Sequence, residues 1–287
     1  MQYQITHTLT YTYDRPVLLA PHTFRLRPRS DVTQTVQQFL LEITPVPQQL
    51  SENVDLDGNA VLKGWFAFEE VTELRIKATS KIETHRVNPF DYLLEPWATT
   101  LPIDYPTSLF HQLQPYLGGL FFSPAGIDPA AAQLAQEIWD ETRGSTTSFL
   151  SALNQRIYET CQYSIRETGT ALPAGITWAR KAGSCRDYAV LFMEVCRAVG
   201  LATRFVSGYQ EGDLDSTDRH LHAWVEVYLP GAGWRGYDPT HGLTVADRHM
   251  ALVAMPSHQN TAPISGSLRQ TGAVQSQMQY HLMIEAI

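Results

Sequence analysis

Apolar and polar residues alternate with a period of two over about the first ninety residues. The first run has one apolar face, made of Tyr3, Ile5, His7, Leu9, Tyr11 and Tyr13. Such alternation is typical of a strand with one buried face. Further strand-like runs lie at 35–43, 61–68 and 73–84, and Asp57-Gly58 offers a turn before the second of these. Short strands separated by turns predict a β-sandwich over residues 1–90.

Proline interrupts the next part of the chain. Six prolines lie between Val87 and Pro129: Pro89, Pro96, Pro102, Pro106, Pro115 and Pro124. Because proline fixes a backbone dihedral and donates no backbone hydrogen bond, this density disfavours regular structure. We therefore predict an irregular, Pro-rich connection over residues 91–127 and place the domain boundary there.

The pattern then becomes helical. Asp128 precedes a proline and an alanine-rich run, which is typical of a helix start. Further helices are predicted from about Thr147 to Cys161 and from Ser184 to Gly200. The period returns to two in four later runs, at 202–209, 220–229, 234–238 and 274–287, the last of which we expect to close a sheet. Residues 128–287 are thus predicted to form an α+β domain, with helices packed on an antiparallel sheet.

Composition and charge narrow the class of protein. Hydrophobic residues make up 44% of the chain and charged residues 17%, as in globular proteins with a buried core. The net charge is −8 and basic residues do not cluster, so we exclude nucleic acid as a partner. No apolar run approaches the length of a membrane span, and the first residues lack the pattern of a secretory signal. We therefore expect no membrane partner.

The cysteines point to a compartment. Only Cys161, Cys185 and Cys196 are present, so a disulfide framework is impossible. Two of them, Cys185 and Cys196, fall on one predicted helix at a separation of about 16 Å, which is beyond disulfide reach. Free thiols fit a reducing environment, so we expect a cytoplasmic protein. These features leave the oligomeric state open.

The strongest local signal is Gly-Ser-Cys-Arg-Asp at residues 183–187. Ser184 and Asp187 have the spacing of a capping box, which places Cys185 in the first turn of a helix. The unpaired amide groups and the dipole at that end stabilise an anion and lower the pKa of a thiol. A thiolate is the nucleophilic form of cysteine. The alternative is a small buried side chain at a helix start.

A histidine and an aspartate follow on two neighbouring predicted strands. His222 begins one strand and Asp238 ends the next, so an antiparallel hairpin places both at one edge of the sheet. There a carboxylate can orient a histidine that moves protons. With simple pairing across a four-residue turn, Asp238 lies about three residues from the position opposite His222 and on the other face of the sheet. We therefore predict a β-bulge near Gly233 or Gly236.

The three motifs in this order, G-x-C-R-D, then H-A-W, then Y-D-P-T, resemble the transglutaminase-like superfamily, whose core is related to papain-type cysteine proteases. Segments 11–17 and 25–29 resemble the β-domain that precedes this core in many bacterial members. The resemblance implies an N-terminal β-sandwich followed by a papain-like core. It also implies that Cys185 is the nucleophile, His222 the general base and acid, and Asp238 its orienting group. Segment 254–261 departs from the Gly-Arg-Asp-Tyr-like sequence common in bacterial members.

Other residues are candidates for the cleft. Trp178 is a candidate oxyanion donor through its indole N–H, as a tryptophan is in animal transglutaminases, although packing is the commoner role. The backbone N–H of Cys185 is the safer donor. Ser184 and Trp224 are further cleft candidates.

A metal site is the alternative interpretation of the same region. His220, His222 and His241 are candidate ligands together with Asp238. Against this, no second Cys or His pair has the spacing of metal ligands, and the triad already accounts for His222 and Asp238. We therefore predict no metal and no cofactor. The acidic loop 211–218 is expected to be solvated, with selection of a cationic amine as its alternative role.

Three functions are compatible with these features. We expect a cysteine acyl-hydrolase of the protease or amidase type, because prokaryotic relatives of the fold often have that activity. In such an enzyme a thioester forms at Cys185 and water releases the acid. One alternative is a protein-glutamine transglutaminase, in which an amine resolves the thioester, and another is a non-catalytic binding protein. The expected partner is a peptide or amide substrate.

Overall fold

The computed structural model describes residues 1–118, 126–166, 169–212, 219–269 and 272–287. The strands before the first helix are β1 (Gln2–Leu18), β2 (His22–Phe24), β3 (Gln34–Thr44), β4 (Gln49–Val54), β5 (Ala60–Trp65) and β6 (Glu70–Thr84). The helices are α1 (Thr107–Leu117), α2 (Pro129–Thr142), α3 (Thr146–Thr160), α4 (Ala174–Arg180) and α5 (Cys185–Ala198), with a 3-10 turn at Pro96–Ala98. The later strands are β7 (Gln162–Tyr163), β8 (Ala182–Gly183), β9 (Thr203–Gln210), β10 (His222–Leu229), β11 (Gly233–Asp238), β12 (Leu243–Thr244), β13 (His249–Met255), β14 (Ile264–Ser265) and β15 (Ser276–Ala286).

Two four-stranded antiparallel sheets form the predicted β-sandwich. Their strand orders are β15-β1-β6-β3 and β14-β2-β5-β4. Because side chains alternate along a strand, one face of β1 is buried, and Leu9 on that face joins Phe24 and Ile76 in a shared core. The predicted turn at Asp57-Gly58 joins β4 to β5, and Gly58 adopts a φ of +77°, which favours glycine.

The last strands of the chain return to this sandwich. β15 pairs with β1 from Tyr3 opposite Ala286 to Tyr13 opposite Ser276, and β14 pairs with β2. The expectation that the tail closes a sheet is confirmed. The division of the chain into 1–90, 91–127 and 128–287 stays a prediction.

A second core lies between the helices and a five-stranded antiparallel sheet with the order β12-β11-β10-β9-β13. Helix α5 packs on β9 and β10 and against α2 and α4. Its buried side chains Tyr188, Phe192 and Val195 recur at helical spacing, so one side of the helix faces the sheet. This packing fixes the position of the helix that begins at Cys185. None of the described helices is long and apolar enough to cross a membrane.

Two side-chain amides join the sandwich to the outer edge of β13. Gln34 accepts a hydrogen bond from the Ala251 N–H at 2.8 Å and donates one to the Ala251 carbonyl at 2.9 Å. Asn59 does the same at Ala254, with distances of 2.8 and 3.1 Å. Both amides are buried. They satisfy backbone groups that the sheet leaves unpaired, and so fix the two halves of the chain against each other.

The connection is less irregular than expected. Residues 107–117 form α1, so the prediction of irregular structure is wrong there. Pro106 precedes the first turn, where a missing N–H costs no helical hydrogen bond, and Pro115 lies in the last turn. Residues 119–125 of the connection lie outside the described residues.

Candidate active site

Cys185 lies in the first turn of α5, as predicted. The Asp187 carboxylate accepts hydrogen bonds from the backbone N–H and the hydroxyl of Ser184, both at 2.8 Å. It also accepts from Arg166 at 2.5 Å and from the Leu172 N–H at 2.7 Å. Because this carboxylate is buried and fully hydrogen-bonded, it anchors the start of the helix and holds the thiol in place.

The register of the β10–β11 hairpin brings His222 and Asp238 to the same edge of the sheet. The pairing starts at Leu229 opposite Gly233 and keeps one register throughout. The predicted bulge near Gly233 or Gly236 is therefore wrong. Gly233, with a φ of +71°, joins the strand and shortens the turn by one residue. This change of one residue in the register places Asp238 on the same face of the sheet as His222.

His222 connects the thiol to the carboxylate. Its Nε2 lies 2.8 Å from Oδ2 of Asp238, and its ring is hydrogen-bonded to the thiol of Cys185. Since Nε2 faces the carboxylate, Nδ1 is left for the thiol. The exposed fractions are 8% for Cys185, 7% for His222 and 0% for Asp238. The three residues predicted from the sequence are thus together in one buried site.

These three groups shift one another's pKa. Burial raises the pKa of the Cys185 thiol, but the hydrogen bond and charge of His222 outweigh burial and bring it below the ordinary value. Burial lowers the pKa of His222, but the charge and hydrogen bond of Asp238 and the bond to Cys185 raise it to about 10. Burial raises the pKa of the Asp238 carboxyl, but the charge of His222 holds it well below its usual range. These shifts favour the thiolate of Cys185, the imidazolium of His222 and the carboxylate of Asp238.

Two further histidines contact the Asp238 carboxylate. Nδ1 of His241 and Nε2 of His249 each lie 3.0 Å from Oδ2, while the Thr240 N–H donates to Oδ1 at 3.0 Å. Burial lowers the pKa of His249, so this ring is neutral and donates through Nε2. From the sequence, His241 is indicated only as a candidate metal ligand and His249 is not indicated. A histidine at the start of the short apolar run 249–255 was the one available signal.

The metal alternative has a geometric basis. Potential ligand atoms of His222, Asp238 and His241 lie within 4.8 Å of one another. Hydrogen bonds of 2.8 and 3.0 Å account for these contacts. His220 instead contacts the hydroxyl of Tyr280 through Nδ1. The expected absence of a metal stays a prediction.

Tyr163 is a site residue that the sequence analysis did not identify. β7 and β8 pair in parallel and place Tyr163 opposite Gly183, two residues before Cys185. The Tyr163 hydroxyl is hydrogen-bonded to the thiol of Cys185. Burial and the charge of Cys185 raise the pKa of Tyr163, so its hydroxyl stays protonated and remains a donor.

A cavity of about 450 Å³ opens over Cys185. Ser184, His222 and Tyr163 line its inner side. Part of segment 254–261, from His258 onwards, lines it as well. Residues 213–218 of the acidic loop lie outside the described residues.

The two tryptophan candidates do not belong to the described wall of this cavity. Trp178 packs on the helical core. Trp224 is 1% exposed, with its ring 6.2 Å from that of His222 and 5.2 Å from that of His249 between centroids. It also fills the space beside Gly208, where an added Cβ would collide with the indole. Trp224 therefore supports the two imidazole rings by packing.

Comparison with known proteins agrees with this fold. The family model for the bacterial transglutaminase-like N-terminal region matches residues 3–83, and the model for the transglutaminase-like superfamily matches residues 132–239. The chain belongs to the transglutaminase-like superfamily. The predicted α+β fold, an N-terminal β-sandwich followed by a papain-like transglutaminase core, is confirmed.

Relatives show how far the similarity of this transglutaminase-like protein extends. An uncharacterized protein of Mycobacterium leprae is 25% identical over 94% of this chain and 94% of its own length. A protein-glutamine gamma-glutamyltransferase of Pseudomonas aeruginosa is 32% identical over 40% of this chain, a match that covers 18% of that protein. The crystal structure of a candidate cysteine protease from Cytophaga hutchinsonii covers 99% of this chain and 90% of its own, with a TM-score of 0.71 and 21% identity. The shared fold therefore includes both halves of the chain.

Proposed function

We propose that this chain is a cysteine-dependent enzyme that hydrolyses an amide or peptide bond through an acyl-enzyme. The supporting observation is the hydrogen-bonded series from Cys185 through His222 to Asp238, which is buried and opens onto a cavity. A preformed thiolate beside an oriented imidazolium is the arrangement that nucleophilic acyl transfer requires.

The first half of the proposed reaction forms a thioester. The Cys185 thiolate attacks the carbonyl carbon of the substrate, and the carbonyl oxygen takes the negative charge. The imidazolium of His222 then gives its proton to the leaving nitrogen as the C–N bond breaks. In the second half the neutral imidazole takes a proton from water and the hydroxide attacks the thioester carbon. The C–S bond then breaks, which releases the acid and regenerates the Cys185 thiolate. The proposed cycle thus ends with the same thiolate and imidazolium with which it began, so no proton has to pass between them.

Two donors are suited to the charged oxygen. The backbone N–H of Cys185 lies in the first turn of α5, where no helical carbonyl accepts from it. The hydroxyl of Tyr163 already lies at the sulfur atom, so a short movement brings it to the oxygen attached to the attacked carbon. Tyr163 therefore replaces Trp178 as the proposed side-chain donor.

The described cavity wall favours water over a cationic amine as the acceptor. It includes Arg166 and Arg186, and no Asp or Glu is among its described residues. Among the described lining residues, an approaching alkylammonium therefore meets like charge and no carboxylate. Transglutaminase activity is kept as the second candidate, because a protein-glutamine gamma-glutamyltransferase of Pseudomonas aeruginosa is similar over 40% of this chain.

Thiol reactivity provides the first test. Iodoacetamide should alkylate Cys185 faster than Cys161 or Cys196, with the greatest difference below pH 8, because burial raises the pKa of both other thiols. The rate for each thiol can be measured by mass spectrometry across a pH series. Equal rates for the three thiols would contradict the ion pair.

Turnover provides the second test. A library of peptides, simple amides and glutamine amides would be incubated with the enzyme, with and without a primary amine, and with Cys185→Ala as the matched control. Acid release that depends on Cys185 supports hydrolysis, and incorporation of the amine supports transglutaminase activity. If no amide gives a product that depends on Cys185, the non-catalytic alternative is preferred.

A further inference from the structure

The cavity over Cys185 has walls from both halves of the chain. One wall belongs to the catalytic half and includes Tyr163 and Phe205. Another part of the lining is a patch of four side chains on β1 and β15, which we call the strand patch: Leu9, Tyr11, Met278 and Tyr280. We propose that the strand patch binds an uncharged apolar side chain of the acyl donor, so that the N-terminal β-domain selects the substrate. This proposal rests on the proposed function and specifies its substrate class.

The sheet register makes the strand patch one continuous surface. Leu9 pairs with Tyr280 and Tyr11 pairs with Met278 across the antiparallel strands. Residues two apart on a strand point to the same face, and cross-strand partners lie side by side, so the four side chains form a two-by-two block. Leu9 is buried, whereas the other three are only partly buried and keep surface towards the cavity.

The block is also fixed relative to the catalytic residues. Tyr280 contacts His220, two residues before His222 at the start of β10. Below the cavity, Tyr3 and Ile5 of β1 pack with Tyr209 of β9. The strand patch is therefore held at the rim of the site by contacts with the catalytic sheet, as a selective pocket requires.

Polarity and charge identify the occupant. Most of the described lining is apolar, and Ile165 and Ile264 belong to it as well as the strand patch. The charged groups in the described lining are cationic, and Arg166 is already paired with Asp187. A lysine side chain would meet no carboxylate among the described lining residues. A leucine or phenylalanine side chain would replace water on apolar surface instead.

The size of the cavity limits the occupant further. At about 450 Å³ it falls in the range of small-ligand pockets, about 300–1,000 Å³. Such a volume accepts one or two residues of an extended chain. The inferred donor is thus a short peptide segment or chain end with a branched aliphatic or aromatic side chain next to the scissile amide.

The test uses probes that need no turnover. Peptidyl acyloxymethyl ketones with leucine, alanine, lysine or glutamate beside the reactive carbonyl would be compared by their second-order rates of labelling Cys185. The wild-type protein should react with the leucine probe at least about 10-fold faster than with the alanine probe, since small apolar differences in such pockets give about 10–200-fold discrimination. The lysine probe should be the slowest.

Two lysine substitutions on β15 distinguish an effect of charge in the strand patch from a general effect of an added charge. Met278→Lys places a cation in the strand patch, so the leucine-to-alanine ratio should fall to within about threefold and the glutamate probe should gain relative to leucine. Gln279→Lys, exposed on the opposite face of β15, should keep the wild-type ratio. If Met278→Lys does not fold, Tyr11→Ser is the second variant. Iodoacetamide labelling of Cys185 serves as the internal control for an intact thiol.

The outcomes distinguish this inference from the proposed function. Equal rates for leucine and alanine in the wild type, or a ratio that Met278→Lys and Tyr11→Ser leave unchanged in folded protein, would overturn the inference. Failure of every peptidyl probe while iodoacetamide still labels Cys185 would overturn it as well. Selective probe labelling without turnover of any amide would support the inference and count against the proposed hydrolysis.

Discussion

Replacement of Asp238 by asparagine removes the charge that stabilises the imidazolium. Asp238 is fully buried, with Oδ2 2.8 Å from Nε2 of His222. At an effective dielectric constant of about 20, two unit charges about 4 Å apart attract by about 4 kcal/mol, which is equivalent to about three pKa units. Without that charge, the pKa of His222 should fall by up to about three units. The thiolate of Cys185 then loses part of the charge of its partner, so the pKa of the thiol should rise.

The sign of the pH effect follows from these shifts. The proposed catalysis needs thiolate and imidazolium together, so the active pH range is bounded below by the pKa of Cys185 and above by that of His222. In the wild type the first is lowered and the second is raised to about 10. Asp238→Asn should narrow the range from both sides. In a serine-protease triad this change costs about 10⁴ in rate, and since a preformed thiolate needs less help we expect a loss of roughly 10–10³ in kcat/KM.

The pH dependence of Cys185 alkylation by iodoacetamide measures the shift without a substrate. Asp140→Asn is the matched control, because Asp140 is exposed on α2 and its carboxylate accepts from the Gln136 side chain at 2.9 Å, a bond that the oxygen of asparagine can keep. Its alkylation profile should equal that of the wild type. A melting curve checks folding, since the amide in Asp238→Asn leaves a buried donor unmatched at a cost of about 1–3 kcal/mol. An unchanged profile and unchanged kcat/KM in folded Asp238→Asn would refute the orienting role and leave Cys185 and His222 as a pair.

Three other outcomes are expected. Tyr163→Phe should lower kcat by about 10–10³ with little change in KM, because it removes one proposed donor to the oxyanion; an unchanged kcat would leave that role to the backbone. Elemental analysis after gentle purification should find no stoichiometric zinc or iron, whereas one metal per chain that is lost in His222→Ala would replace the triad with a metal site. Gln34→Leu should lower the free energy of unfolding in urea by about 2–4 kcal/mol, because the Ala251 N–H loses its acceptor and the Arg29 carbonyl loses the donor in the Gln34 amide. The exposed Gln38→Leu should change it by less than about 0.5 kcal/mol, and an equal loss in both variants would contradict this role of the amide.

The parts of the site that were predictable depend on local signals. The capping box of Ser184 and Asp187 fixes where α5 begins, because both halves of the motif lie within one turn. The hairpin order likewise places His222 and Asp238 at one edge without knowledge of other strands. The register of the β10–β11 hairpin was harder to predict, because it depends on whether Gly233 ends the turn or begins the strand.

The parts that were missed depend on contacts between distant segments. Tyr163 reaches Cys185 only because β7 pairs with β8, and a two-residue strand has no detectable period. His249 reaches Asp238 only because β13 is the outer strand beside β9. The part of the cavity wall on β1 depends on the packing of two sheets. The alternation that includes Leu9 and Tyr11 indicates that this face of β1 is buried, but not which residues cover it.

The position of β15 in the chain gives the site an order of assembly during synthesis. About ninety residues separate Cys185 from Met278, so at roughly 5–20 residues per second a ribosome needs about 5–20 s to pass from one to the other. During that interval the nucleophile can already join its histidine and aspartate, while the sheet that faces it still lacks an edge strand. A nascent or prematurely terminated chain should therefore be reactive but unselective. If the proposed function and the proposed role of the strand patch are correct, formation of the final strand marks the time at which the protein begins to discriminate among peptides.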